Sequence, residues 1–303
     1  MDNVERIIKH RLKVISCSYD IKGVVTQELD CDTIAKYYRA SDLFYRLVHS
    51  RLGRSIHMGL SDDGKFHMKD FFKQAEYVAR TFSEDTRNVL EIGAGMCMNT
   101  DYLARKYPDI DFVALDLPNR NFLKMKVPRN VMLVEGDYNN LSDFYGKFDL
   151  IYAVETLAHT ENKSRVILEL YKALKSGGKL IIFDYYNVLP FRKMKKYEKC
   201  AYALTMSAMK TPYRGQQIDK FVKDLKDAGF TMVNVENLTE KIRPSVKKLE
   251  RCAKIYFQRP VLKILQKLIV EDATMNGITG YLMDLVFDGK RIGQYNRIVA
   301  VKL

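Results

Sequence analysis

Asn88-Val-Leu-Glu-Ile-Gly-Ala-Gly95 is the stretch that decides the fold. A short apolar run reaches an acidic residue and then Gly-Ala-Gly. The run reads as a buried parallel strand. The glycines permit a sharp turn and let a ligand approach where a Cβ would clash. The helix expected next aims its first N–H groups at that ligand. Open α/β sheets build a nucleotide site in this way, at the carboxyl end of the first strand.

The same rhythm continues downstream. Strands are expected at Val89–Ile92, Asp111–Leu115, Val131–Val134, Phe148–Val154 and Lys179–Phe183, with helices over 99–107 and 163–174. Pro108 stops the first helix, and Ser176-Gly-Gly178 reads as the C-terminal signal of the second. Such alternation implies right-handed crossovers and a parallel sheet. Strands over 230–235 and 298–301 complete a seven-stranded, mostly parallel, doubly wound Rossmann-like α/β sheet. Residues 1–84 read as a helical N-terminal cap and 85–303 as the α/β domain, with helical insertions at about 185–215 and 243–280. Val4, Ile7, Ile8, Leu12 and Ile15 fall at helical spacing, so residues 1–16 form an amphipathic helix. Packing on its own domain is favoured over contact with a membrane surface.

The chain has 303 residues, 47% of them apolar, which is enough for one such domain with additions. The formal net charge of +13 favours anionic partners: phosphates, acidic lipid surfaces or nucleic acid. Five scattered cysteines without CxxC spacing argue against a disulfide framework and a structural zinc site. The histidines form no metal pattern, so no metal is assigned. No signal peptide or long apolar run is evident, so a cytoplasmic setting is expected, with peripheral membrane contact through basic helices kept open.

Two nucleoside ligands compete for the glycine turn. A dinucleotide site wants G-x-G-x-x-G. Here Met96, Cys97 and Met98 follow Gly95, which weighs against it. Asp116 ends the second strand, where a carboxylate can accept from both ribose hydroxyls. The segment Glu91-Ile-Gly93-Ala-Gly95-Met-Cys97 resembles the first motif of class I S-adenosylmethionine-dependent methyltransferases, with Cys97 in place of the third glycine. Gly136-Asp137 after strand three, Phe148 to His159 through strand four, and Leu174-Lys-Ser-Gly-Gly178 into strand five follow in the family's order. The resemblance implies S-adenosyl-L-methionine as cofactor. It implies binding through Tyr38, Glu91, Gly93, Ala94, Gly95, Asp116, Leu117, Asp137, Tyr138 and Val154, with Asp137 accepting from the adenine amino group.

Strand four ends Val154-Glu-Thr-Leu157, without the Asn/Asp-Pro-Pro-aromatic tetrapeptide typical of nucleic-acid amine methyltransferases, so a nucleic-acid acceptor is disfavoured. Tyr37-Tyr-Arg-Ala-Ser-Asp-Leu-Phe-Tyr45 and Gly53-Arg-Ser-Ile-His-Met-Gly59 resemble the small-molecule methyltransferases: sterol, tocopherol and prenyl-diphosphate C-methyltransferases and certain N-methyltransferases. That likeness implies an acceptor pocket lined by Tyr37, Tyr45 and His57. Glu155 and His159, four residues apart, are both candidates for the base that removes a proton during or after methyl transfer. The expected acceptor is a small molecule, anionic or lipid-like. Carbon methylation leads, nitrogen or oxygen methylation follows, and a silent cofactor-binding protein is the reading from another class.

Overall fold

The computed structural model describes residues 3–27, 33, 36, 57–118, 122–258 and 271–303. Its sheet contains β1 (Asn88–Ile92), β2 (Asp111–Asp116), β3 (Val131–Glu135), β4 (Phe148–Val154), β5 (Leu174–Asn187), β6 (Phe230–Asn237) and β7 (Gly293–Lys302). Their order is β3-β2-β1-β4-β5-β7-β6. The first five pair in parallel, and β7 runs antiparallel to both β5 and β6. The chain winds outward from β1 to β3 and returns to β4 beside β1. A doubly wound sheet opens its ligand crevice at the carboxyl ends of such a pair.

Both faces of the sheet are apolar because helices cover both. Val89, Leu150, Tyr152, Ile181 and Phe183 point to one side, and Leu90, Ile151, Ala153, Leu180 and Ile182 to the other. Helices α3 (Lys73–Ala79) and α4 (Met98–Lys106) cover the first face. Helices α5 (Lys163–Ala173) and α7 (Ile218–Asp227) cover the second. The Asn162 side chain caps α5 by accepting from the Arg165 N–H at 3.1 Å.

The N-terminal helices α1 (Asn3–Ser16) and α2 (Ile21–Thr26) pack on the insertions α6 (Lys196–Ala208), α8 (Thr239–Gln258) and α9 (Glu271–Val286). Ile8 and Ile15 of α1 are buried in the same core as Leu249 of α8 and Leu282 of α9. Buried Arg11 donates to the Tyr281 carbonyl at 2.6 Å, pairs with Glu250, and lies 4.9 Å from the Tyr281 ring centre. The apolar face of α1 is therefore spent inside the protein. Helices α1 and α2 share one core with α6, α8 and α9.

Two local expectations change. Ser176-Gly-Gly178 lies inside β5, because Leu174 already pairs with Phe148 before a register shift. At its other end β5 continues to Asn187, since β7 extends the ladder with Tyr185 against Tyr295. The insertion expected from residue 185 thus begins as strand, with its helix at α6. A 3-10 turn, Met68–Phe72, leads into α3. The Asp70 carboxylate tightens that turn by accepting from the His67 N–H at 2.8 Å.

Candidate active site

The loop after β1 makes a sharp left-handed path: Gly93, Gly95 and Cys97 have φ of 64°, 55° and 53°. Cys97 adopts the conformation that the missing third glycine would supply. Its buried side chain packs with Ala94, Ala114 and Phe122. A Cβ on Gly93 would lie 2.3 Å from Thr156 Cγ2, so the β1 and β4 loops touch there through a glycine.

Glu91 sits under this loop, buried, and serves its geometry. Its carboxylate accepts from the Thr100 amide at 3.2 Å, the Thr100 hydroxyl at 2.5 Å and Asn99 Nδ2 at 3.3 Å. It thereby supplies acceptors to the first turn of α4. Burial pushes this carboxyl up to about 7 against the pull of those bonds. Asp116, at the end of β2, accepts from the Gly95 amide with Oδ2 and from the Leu117 amide at 2.7 Å with Oδ1. Burial raises its pKa, and the two amides oppose the rise. Ala94 is buried, with its amide donating to the Leu115 carbonyl at 3.1 Å; Leu117 is partly buried and Val154 buried. Asp137 is exposed, and its Oδ1 accepts from the Asn139 amide and side chain at 2.9 and 2.7 Å. Partly buried Tyr138 follows it. These residues offer what a nucleoside ligand asks for: a glycine turn, a helix start, and carboxylates at two neighbouring strand ends.

Glu155 begins the loop after β4 with φ 51°, a strained value for a residue with a Cβ. Its amide donates to the Phe183 carbonyl at 2.7 Å, and its Oε1 accepts from the Met58 amide at 2.8 Å. Burial pushes its carboxyl up to about 8; the Met58 amide counters this, Asp184 of β5 adds to it, and the Tyr185 and Tyr295 hydroxyls counter it. His159 Nδ1–H donates to the Lys210 carbonyl at 3.0 Å, which leaves Nε2 as the acceptor nitrogen of a neutral ring. Burial lowers its pKa. His57 is also neutral, held to about 4 by burial, and its Nε2–H donates to the Phe71 carbonyl at 2.9 Å. Through this bond the ring helps hold the 57–71 segment. Tyr37, Tyr38 and Tyr45 lie outside the described residues.

Sequence reading missed Asp184, Lys163, Tyr185 and Tyr295. One signal was present for Asp184: like Asp116 and Glu155, it is an acid following an apolar strand run. Among the described residues no group of three or more His, Cys, Asp or Glu could hold a metal ion, and no helix is long and apolar enough to cross a membrane.

Residues 90–182 match the methyltransferase domain family. The chain is 28% identical over 188 residues to phosphoethanolamine N-methyltransferase 1 of Arabidopsis thaliana, covering 59% of this chain and 36% of that protein. It is 22% identical over 233 residues to the sterol 24-C-methyltransferase of Debaryomyces hansenii, covering 72% and 61%. The fold overlays on the cyclopropane synthase MmaA2 of Mycobacterium tuberculosis with a TM-score of 0.69 at 14% identity, covering 91% and 100% of the two chains. The matched stretch spans about a third of the plant relative's length, 36%.

The match therefore identifies residues 90–182 as similar to a methyltransferase domain. Solved structures that share the fold include ones in complex with S-adenosyl-L-methionine or S-adenosylhomocysteine.

Asp116→Ala is expected to weaken S-adenosylmethionine binding about 100-fold, the worth of charge-assisted bonds to ribose hydroxyls. Calorimetric titration checks this, and unchanged affinity would remove Asp116 from the cofactor site.

Proposed function

We propose that the chain transfers the methyl group of S-adenosylmethionine to carbon in an unsaturated isoprenoid or lipid-like small molecule. The observation that carries this reading is Glu155: a carboxyl on a strained turn at the crevice, held up to about 8 beside buried tyrosines. Bound S-adenosylmethionine supplies an electrophilic sulfonium methyl. The glycine turn and Asp116 orient it, and the closed surroundings of Glu155 exclude water. Attack by an alkene forms a carbon–methyl bond as the sulfur–methyl bond breaks, and leaves a carbocation. The Glu155 carboxylate then takes a proton from that cation, giving a new alkene and the neutral carboxyl. A pKa near 8 makes Glu155 a stronger base than an ordinary carboxylate.

Nitrogen methylation is the second reading, favoured by the likeness to the plant phosphoethanolamine enzyme. There Glu155 would face an ammonium group, and His159 Nε2 would take its proton. Charge supports an anionic acceptor or an acidic lipid surface in either case. In α8, Lys241, Arg243 and Lys254 are already paired with Asp62, Glu240 and Asp284, and Glu250. Surface contact would therefore fall to exposed Lys247 and Arg251 of α8 and to exposed Arg6, Lys13, Lys193 and Lys196.

Methyl-radiolabelled cofactor offered with prenyl-diphosphate, sterol, fatty-acyl and amine pools tests the proposal. Label in a carbon-methylated isoprenoid or lipid is the expected result. Label confined to amines would move the reaction to nitrogen, and label in none would overturn the small-molecule reading.

A further inference from the structure

The turn from Glu155 to Thr160 is held by side chains that do not belong to it. Asp184, buried on β5, accepts from the Ala158 amide at 2.8 Å with Oδ2 and from the Tyr185 amide at 2.9 Å with Oδ1. Lys163, buried at the start of α5, donates to the Thr160 carbonyl at 2.7 Å. Buried Gln216 donates to the Ala158 carbonyl at 2.8 Å, and His159 is tied to the Lys210 carbonyl. A residue held at positive φ persists when its surroundings over-determine it. Here β5, α5 and the segment after α6 each grip the turn that starts at Glu155.

We infer that Asp184 is a positioning residue for the Glu155 turn, fixing its backbone through the Ala158 amide and keeping a second negative charge beside the Glu155 carboxyl. This rests on the reading of Glu155 as the base. A carboxylate costs several kcal/mol to bury unless it is hydrogen-bonded and faces a cation. Asp184 accepts from amides on two sides and feels the charge of Lys163, whose ammonium itself donates to the Thr160 carbonyl. Burial raises its pKa, while the Tyr185 and Ala158 amides and Lys163 pull it down; burial lowers that of Lys163, and Asp184 opposes the fall. The groups facing Glu155 are Asp184 and Tyr185 from β5, Tyr295 from β7 and the Met58 amide. Those facing Asp184 are Lys163 from α5, Glu155, and Tyr185, Tyr186 and Tyr295. Among these, Asp184 is the charged neighbour that holds Glu155 in its proton-bound form to higher pH.

The test is Asp184→Asn in the full chain, which keeps one acceptor oxygen and removes the charge. Asp184→Ser, smaller and still an acceptor, replaces it where the asparagine variant does not fold. Cofactor affinity is expected to stay within about threefold of the parent. Turnover is expected to fall about 10- to 100-fold through misplacement of the turn. The acid limb of the pH–rate profile is expected to move down by about one unit as the like charge is lost. Carbon-13 NMR of labelled glutamate carboxyls, with Glu155→Gln giving the assignment, follows the same shift without turnover. A folded variant with unchanged turnover and unchanged Glu155 titration would overturn the positioning role. A Glu155 titration that moves while Glu155→Gln keeps full activity would instead overturn the base.

Discussion

Glu155→Gln is expected to lower methyl transfer by about 10²- to 10⁴-fold, the usual worth of a positioned general base. Glutamine keeps the oxygen that accepts from the Met58 amide. Cofactor affinity and the fold are therefore expected to survive. The parent's rate is expected to rise with pH through about 8, because the ionised carboxyl does the work and burial holds its proton that high. In the glutamine variant this limb disappears. Stability changes in the opposite sense. The folded chain keeps the Glu155 proton up to about 8, against an ordinary value of 4.5. Below 4.5 both folded and unfolded chains hold the proton and the burial costs nothing extra. Between 4.5 and 8 the parent loses stability progressively, and above 8 it carries the whole loss. The variant escapes that loss, so its melting temperature is expected to exceed the parent's at about pH 8–9 and to match it near pH 4.5. Thermal unfolding across that range, with initial rates alongside, checks both halves. A full rate in the variant would make Glu155 structural.

Gly93→Ala is expected to remove measurable cofactor binding and to destabilise the chain by more than about 2 kcal/mol, since two penalties add. A left-handed φ of 64° costs a residue with a Cβ about 1–2 kcal/mol. The new Cβ would also press on Thr156, 2.3 Å from Cγ2 and 2.4 Å from Oγ1. Thr156 is buried, so little room exists for it to turn aside. Gly93→Ala combined with Thr156→Ala is expected to regain part of the stability and little of the binding, because the clash is relieved and the φ strain remains. Urea unfolding and cofactor titration of the two variants separate these terms. Wild-type affinity in Gly93→Ala would show that the turn tolerates a side chain and would remove its role in the cradle.

Most of the fold was legible because its signals are local. Apolar runs of strand length, acids and glycines at their ends, and helices between them are written in consecutive residues from Asn88 to Phe183. The glycine turn was legible for the same reason. Less legible was the left-handed backbone at Cys97 and Glu155, where no glycine announces it. At both positions tertiary contacts hold what local preference resists: the Ala94–Ala114–Phe122 cluster at Cys97, and the Met58 and Phe183 bonds at Glu155. Asp184 was missed because it acts on a turn 26 residues away at Ala158, and Lys163, although only 3 residues from Thr160, belongs to no motif that marks it. The length of β5 was missed because its last pairs are with β7, more than a hundred residues later in the chain. His57 gave no sign in sequence of its local task, because its bond runs to the Phe71 carbonyl fourteen residues later.

Titration of the full chain with S-adenosylmethionine in a calorimeter tests the central claim most directly. Saturable one-to-one binding in the micromolar range, weakened about 100-fold by Asp116→Ala, is the expected result. No heat of binding at millimolar cofactor would contradict it.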